Sequence, residues 1–515
     1  MTPSNILILM SDQHSPHAVG CDGNNPVRTP HLDRLAKEGM RFTNTYCPAP
    51  LCVPSRMSFM TSRTPSRNRV WNNQHALGSG IPTWAHALGA VGYETALIGR
   101  MHFVGADQRH GFERRPMGEF MAGHHGRIWL GGPAWTKYPA ITTGQKRPGV
   151  EHAGTGHTVY QWFDERAATA ACHFLRERCE KGVGDPLPGG PSGASHKGSP
   201  TPFSRPFAAV VGFMLPHCPF IAPKELFEYY YDRIDVPEAD EGQPATVKRF
   251  RRLRGILDPP LPAERIRIAR AAYFALCEYL DSLIGRILDC LDETGLAENT
   301  LVIYTSDHGE MAGEHGCWWK SNYYEGSACV PMIARLPNVV PAGGGCDAIC
   351  NLMDVGPTLA EIAGAEMPDA DGRSLWPTLQ GNHPDDWPDE TLSEFVDSRT
   401  GDAGLVNLPS RMIRSGPWKL WHYADAEDLP PALFNLDDDP GEVRDLGTEP
   451  AYADIRTRLL ERLHDGWDPA RASALSAEQD RDERALAAWG KAVKPPHEDT
   501  LLVPPPDVEA DVELL

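Results

Sequence analysis

Four short apolar runs stand out along the chain, and each ends in side chains capable of chemistry. Residues 6–10 (Ile6, Leu7, Ile8, Leu9 and Met10) lead into Asp12 and Gln13. Residues 95–98 lead into Arg100 and His102, and residues 208–213 lead into Pro216 and His217. Residues 301–304 lead into Asp307, His308, Gly309 and Glu310. None of the four alternates between apolar and polar positions. Such runs are typical of parallel strands covered on both faces. In an open α/β sheet the site lies beyond the carboxyl ends of the strands. The pattern predicts an α/β fold in which four strand ends share one site.

Helical patterns fit between the runs. Thr29 and Pro30 read as a cap and a first helical position, and residues 31–38 run on to a terminating Gly39. Residues 82–91 and 263–291 read as further helices; the second repeats Ile268, Ala272, Leu276, Leu280, Leu283 and Ile287 near helical spacing. Residues 182–206, dominated by Gly, Pro and Ser, read as a flexible insertion. The character changes after Gly381, where a Pro- and Asp-rich stretch at 383–390 reads as a linker. Residues 1–382 are thus expected to form the large α/β unit. Residues 391–467 read as a smaller α+β subdomain, with antiparallel strands at 412–414, 418–421 and 433–436 and a helix at 451–463. Residues 468–515 are charged, then proline-rich, and read as an extended tail.

Composition narrows the function. The chain has 515 residues, enough for a large unit and a small one. Its formal net charge of −20 argues against nucleic acid as a partner, because a phosphate backbone needs a basic surface. An anionic substrate would require positive charge gathered locally. The 12 cysteines show no CxxC pair and no regular spacing, which speaks against zinc ribbons and a disulfide framework. The first apolar run lacks a basic lead and a cleavage pattern, so it reads as a buried strand and not a signal peptide. No segment approaches the roughly 20 apolar residues of a membrane span. The expectation is a cytoplasmic protein with no membrane partner.

The densest chemistry lies at Cys52-Val53-Pro54-Ser55-Arg56. Pro54 and Ser55 suit the first turn of a helix. Cys52 would then sit at a helix N-terminus, where backbone N–H groups favour anions. Arg56 would follow one turn on, on the same face. A buried structural cysteine beside a Pro-Ser-Arg turn is the bland reading of the same residues. Asp12, Asp307 and His308 read as ligands of a divalent cation, with Gln13 adding an amide oxygen. Carboxylates with a neutral imidazole suit Mn²⁺ or Mg²⁺, whereas Ca²⁺ prefers oxygen throughout.

Together these motifs resemble the type I (formylglycine-dependent) sulfatases of the alkaline phosphatase superfamily. Cys52 to Arg56 matches the family's C-x-P-S-R signature, and Asp12-Gln13 matches its first metal motif. Ser306-Asp307-His308-Gly309-Glu310 matches the second. The Lys-x-His motif falls at Arg100-Met101-His102, with arginine in place of lysine. The later histidine falls at His217, and the lysine after the second metal motif at Lys320. Residues 99–113 and 314–331 most resemble choline sulfatases, with phosphonate monoester hydrolases a related branch. Two departures stand out. Arg100 keeps the charge but cannot transfer a proton as lysine can, and Thr61-Ser62 replaces the family's Thr-Gly.

The resemblance implies an alkaline-phosphatase-like α/β/α sandwich with a large mixed, mostly parallel sheet and a small C-terminal α+β subdomain. It implies that Cys52 is oxidised to formylglycine by a formylglycine-generating maturation enzyme. The hydrate, held on one divalent metal ion (Mn²⁺ or Ca²⁺, with Mg²⁺ an option), would attack a small organic sulfate such as an aryl, alkyl or choline sulfate. Arg56 would hold the hydrate, and Lys320 and Arg100 would hold the sulfuryl oxygens. His217 would serve the leaving alcohol, and His102 would collapse the sulfated intermediate. Trp129, Trp135 and Glu394 are candidates for a choline pocket, since a quaternary ammonium favours aromatic faces and a carboxylate. A phosphonate monoester or phosphate diester hydrolase is the alternative, disfavoured by His102, where that branch tends to carry threonine. A non-catalytic binding protein on the same fold is the third. The family's habits also imply a homodimer or homotetramer, with the tail reaching a neighbour.

Overall fold

The computed structural model describes residues 4–23, 26–119, 145–180, 205–238, 242–401, 404–424 and 426–493. Its centre is an eight-stranded sheet. In chain order the strands are β1 (Asn5–Asp12), β2 (Met40–Phe42), β3 (Glu94–Gly99), β4 (Arg114–Met117), β5 (Phe207–Pro216), β6 (Thr300–Ser306), β7 (Met332–Arg335) and β8 (Gly344–Cys346). Across the sheet they lie in the order β8-β2-β7-β6-β1-β5-β3-β4. Only β7 runs antiparallel to its neighbours. The four apolar runs are β1, β3, β5 and β6, which are adjacent in space.

Both faces of these strands are buried, as their unbroken apolar character requires. Successive side chains point to opposite faces. Leu7 and Leu9 enter one core together with Ala209, Val211, Val302 and Tyr304. Ile6, Ile8 and Met10 enter the other together with Ala208, Val210, Leu301 and Ile303. Among the helices are α1 (Pro30–Glu38), α2 (Cys52–Thr61), α3 (Trp84–Ala90), α4 (Val159–Glu180), α5 (Ala263–Glu293), α6 (Val355–Ala363), α7 (Ala453–His464) and α8 (Pro469–Val493). Leu32 and Leu35 of α1, with α4 and α5, cover the first face. Met57 and Phe59 of α2, with Trp84 of α3 and Leu359 of α6, cover the second. The result is the expected three-layer α/β/α sandwich.

The C-terminal part is an antiparallel meander of β9 (Glu390–Gly401), β10 (Gly404–Ser415), β11 (Trp418–Tyr423) and β12 (Ala432–Asn435). One side packs Ile413, Leu420 and Leu433 on Leu459 and Leu463 of α7. The other side places Trp421 and Phe434 in the main core. A buried ionic cluster ties the two units: Lys419 Nζ lies 2.6 Å from Glu325 Oε1 and 2.8 Å from Glu442 Oε1.

The region after 468 differs from expectation. Residues 469–493 are not an extended tail but helix α8. Asp468 caps it, accepting the N–H of Arg471 at 2.9 Å, and Pro469 takes the first position. Most of the charged residues that suggested a tail are arginine, glutamate and lysine, good helix formers interspersed with alanines. Asp480 fastens the helix by accepting from Asn72 Nδ2 (3.3 Å) and Asn407 Nδ2 (3.4 Å) and by meeting His75 Nε2 (3.3 Å). The insertion expected at 182–206 falls almost wholly outside the described residues, as do Trp129, Trp135 and residues 494–515. No helix among the described residues is long and apolar enough to cross a membrane.

Candidate active site

The carboxyl ends of β6, β1, β5 and β3 are neighbours, so the side chains that follow them converge. Two glycines make the last approach possible. A Cβ on Gly212 would meet the Arg100 carbonyl oxygen at 1.7 Å, and Gly99 sits at φ +80 with its would-be Cβ 2.5 Å from the Gly212 carbonyl. The chain leaving β3 can therefore lie against β5, where Arg100 N–H donates to Gly212 O at 2.9 Å. Gln13 and His102 both hold positive φ, 71° and 60°, just past their strand ends.

α2 starts at Cys52, and all ten of its residues are buried. Its N-terminus lacks a side-chain cap on Leu51, but Asn73 Oδ1 accepts the N–H of Val53 at 3.0 Å. The helix dipole leaves an anion-favouring corner beside Cys52. Cys52 Sγ lies 3.1 Å from His308 Nε2 and 3.7 Å from Asp12 Oδ1. Ligand atoms of Asp12, Cys52, Asp307 and His308 all fall within 4.8 Å of one another, and all four residues are fully buried.

Each carboxylate divides its oxygens. Asp12 Oδ2 accepts from Arg100 Nε at 2.7 Å and Arg56 Nη2 at 3.2 Å. Asp307 Oδ2 accepts from Arg56 Nε at 2.7 Å. Their Oδ1 atoms lie 3.8 and 3.6 Å from His308 Nε2. The Nδ1 of His308 meets the Gly309 carbonyl at 3.0 Å, which fixes the proton on that nitrogen and leaves Nε2 with its lone pair. Two carboxylate oxygens and one imidazole nitrogen, closed by neighbouring cations, are a donor set that fits a divalent metal ion. Gln13 stands beside this set. Its Oε1 accepts from Lys320 Nζ and its Nε2 donates to Glu310 Oε2.

Burial alone would raise the Asp12 pKa, but Arg100, His217, Arg56 and Lys320 outweigh it and hold the carboxyl well below its usual range. Burial, then the Asp12 charge, pushes the Cys52 thiol up to about 12. Burial works against the Lys320 ammonium, yet Cys52 and Asp12 prevail and its pKa is raised. The histidines go the other way. Burial lowers His102, His217 and His308, with Arg100 adding to it at His102 and Lys320 at His217 and His308. The site is a pair of carboxylates amid three fixed cations, with neutral imidazoles at its edge.

His102 shows what arginine in the Lys-x-His position does. Arg100 Nη2 donates to His102 Nδ1 at 2.8 Å, so the neutral ring carries its proton on Nε2, which is buried and unpartnered among the described residues. Arg100 Nη1 is held by Glu119 Oε1 at 2.6 Å, and Glu119 Oε2 accepts the His102 N–H at 2.8 Å. His217 Nδ1 meets the Cys218 carbonyl at 2.5 Å, and its ring lies 6.0 Å from that of Tyr160.

Residue patterns had not singled out Asn73, Glu119 or the role of Glu310. Glu119 follows β4, and the strand-end rule finds it once that short strand is known. Glu310 lies inside the second metal motif, where its carboxylate braces Gln13 and the N–H groups of Ala312 (2.8 Å) and Trp319 (2.6 Å). Asn73 has no local signature. Glu394 does not join the site as a free carboxylate. Arg411 Nε donates to its Oε2 at 2.8 Å, and the Ser66 N–H donates to its Oε1 at 2.5 Å.

The sulfatase family model matches residues 4–174 and 197–365. The chain belongs to the sulfatase family. A second family model, the C-terminal part of N-sulphoglucosamine sulphohydrolase, matches residues 313–467 of this sulfatase. It is 33% identical to a choline-sulfatase of Rhizobium meliloti (strain 1021), over 87% of this chain and 83% of that one. It is 28% identical to arylsulfatase K of Xenopus laevis, over 85% and 78% respectively. Among solved structures, a phosphonate monoester hydrolase from Silicibacter pomeroyi superposes with a TM-score of 0.70 at 24% identity, covering 90% of this chain and 95% of that one. That similarity shows the shared fold. The protein is an enzyme that hydrolyses sulfuric esters.

Proposed function

We propose that this sulfatase acts on a small organic sulfate, with Cys52 as the precursor of the nucleophile. The observation that carries this is the position of Cys52: first residue of a buried helix, 3.1 Å from His308 Nε2 and enclosed by Asp12 and Asp307. A thiol at this place is a poor nucleophile, being held protonated by burial. Conversion to formylglycine by a maturation enzyme replaces it with an aldehyde whose hydrate has two hydroxyls. Asp12, Asp307, His308 and the Gln13 amide oxygen would hold a divalent cation, with Mn²⁺ suited to the mixed oxygen and nitrogen donors. Such a cation would supply fixed positive charge and lower the proton affinity of a neighbouring oxygen.

The remaining roles fall to the chain itself. One hydroxyl of the hydrate attacks sulfur while the bond from sulfur to the ester oxygen breaks. Lys320 and Arg100 hold the sulfuryl oxygens as charge shifts onto them. The proton lost by the attacking hydroxyl is taken up by His217, neutral at rest, and passed to the departing alcohol oxygen. The sulfated hydrate then collapses: the second hydroxyl gives up its proton, the carbonyl re-forms, and sulfate leaves with the electron pair of the broken carbon–oxygen bond. We assign His102 as the base here. Its lone pair is on Nδ1, facing Arg100 Nη2, so Arg100 must give way as the ring takes up the proton. Arginine at this position thereby couples the second half-reaction to movement of its guanidinium. A sulfate carried on an unmodified cysteine has no second hydroxyl to eliminate it.

The alcohol portion is open to both aryl and alkyl carriers. The similarity to a choline-sulfatase favours choline sulfate among them, but Glu394, already bound by Arg411 and Ser66, is not available to its ammonium. Rates on an aryl sulfate, choline sulfate and a phosphonate monoester, measured on matured, metal-loaded enzyme, test the reading. Faster turnover of the phosphonate than of either sulfate would overturn it.

A further inference from the structure

We propose a second anion-binding site, away from Cys52, at the far end of the nucleophile helix. α2 is 10 residues long, so about 15 Å separate its ends. Past its C-terminus a cavity of about 340 Å³ is lined by Arg63, Arg67, Arg69 and Arg471, with Asp468 the one acidic side chain in its lining. Arg471 comes from α8, and the other three from the turn after α2. In a chain of formal charge −20 this is a local reversal of sign.

The guanidinium groups differ in their freedom. Arg67 pairs with Asp371, and Arg63 lies 4.0 Å from Asp369. Those of Arg69 and Arg471 make no hydrogen bond or ion pair among the described residues, and both residues are exposed. Three further donors in lining residues are buried without a partner among the described residues: Arg63 Nε, Ser66 Oγ and Trp71 Nε1. Trp71 is only 2% exposed. Buried donors left unpaired are costly, and what distinguishes these three is that they lie in residues lining one arginine-rich cavity. Donors and free cations around one cavity match a tetrahedral oxyanion, which accepts several hydrogen bonds at once.

The volume equals roughly ten waters, more than a single sulfate needs. Because the enzyme works on sulfuric esters, the oxyanion is assigned as a sulfate group, either free inorganic sulfate with its hydration or a sulfate on an organic carrier whose body fills the remaining space. The site is independent of the chemistry proposed for Cys52.

The test uses matured, metal-loaded enzyme. Crystals soaked in sodium selenate should show an anomalous peak among Arg69, Arg471 and Trp71. Calorimetric titration with sodium sulfate and with 4-nitrobenzenesulfonate, which cannot be hydrolysed, separates the two sources. Tighter binding of sulfate assigns the site to free product; tighter binding of the sulfonate assigns it to a carrier-borne group. In either case the double variant Arg69→Gln/Arg471→Gln should weaken this binding roughly a hundredfold, about tenfold for each charge-assisted contact. Trp71→Phe, which keeps the packing and removes the N–H, should weaken it about tenfold. kcat at low sulfate should be unchanged in both variants. Absence of the selenate peak, or wild-type titration curves from both variants, would overturn the proposal.

Discussion

Arg56 is the test case for how this site is held together. Its side chain is fully buried and bridges the two carboxylates, 2.7 Å from Asp307 and 3.2 Å from Asp12. It also donates to the carbonyls of Arg100 and Ser11, each at 3.3 Å. Arg56→Met keeps an unbranched apolar stem and removes the guanidinium with its charge. Asp12 would retain Arg100 at 2.7 Å, but Asp307 Oδ2 would lose its only cation among the described residues. Removing one member of a buried ion pair costs about 3–5 kcal/mol, because the other charge is stranded. An unfolding entropy of about 2.1 cal/mol/K per residue over 515 residues amounts to about 1.1 kcal/mol/K. A loss of about 4 kcal/mol therefore lowers Tm by about 4 °C. The assay is a thermal melt of chelator-treated protein, repeated with excess Mn²⁺. A bound cation replaces part of the missing charge, so Mn²⁺ should narrow the gap between variant and wild type. A chelated variant that melts with the wild type, or a gap that Mn²⁺ widens, would refute the reasoning.

Other predictions follow from single contacts. Cys52→Ala should lose nearly all turnover while its melting temperature stays near that of wild type; near-normal turnover would end the nucleophile assignment. His102→Ala should accumulate sulfated enzyme, visible by mass after a substrate pulse, and failure to become sulfated would move His102 to the first step. Because burial and Arg100 hold the His102 pKa well below 6.5, the ring stays neutral as pH falls through that value, so the acid limb of a kcat profile should lie below it. Asp480→Ala removes the contacts that fasten α8 to Asn72, His75 and Asn407 and should make residues 469–493 susceptible to limited proteolysis at about 1–3 kcal/mol cost. We also propose that residues beyond Val493 contribute to a homodimer or homotetramer. Ending the chain there, and not near Trp467, tests this by light scattering without stripping a packed helix; an unchanged molar mass would remove that segment from the interface.

Local patterns in the sequence determined much of this protein. Each apolar run is a strand because its residues are buried on both faces, a property written into consecutive positions. The reactive residues at the end of each run were legible for the same reason: Asp12 closes its strand, and Arg100, His217 and Asp307 follow theirs directly. Pro54 and Ser55 mark the start of α2, so the place of Cys52 at a helix N-terminus was readable too. What the tertiary structure decided depends on which distant segments become neighbours. Asn73 matters because its loop comes to rest on Val53, and Glu119 because β4 lies beside β3. Glu394 has the residue type for a cation pocket, yet Arg411 on the adjacent strand takes its carboxylate. The stretch after 468 reads as polar and tail-like until Asp480 finds Asn72, His75 and Asn407, and the arginine-lined cavity forms only where α8 meets the turn after α2. Pairings of this kind join residues from 17 positions apart, as in Glu394 and Arg411, to 408 apart, as in Asn72 and Asp480, and the local periodicity of either segment reports neither partner.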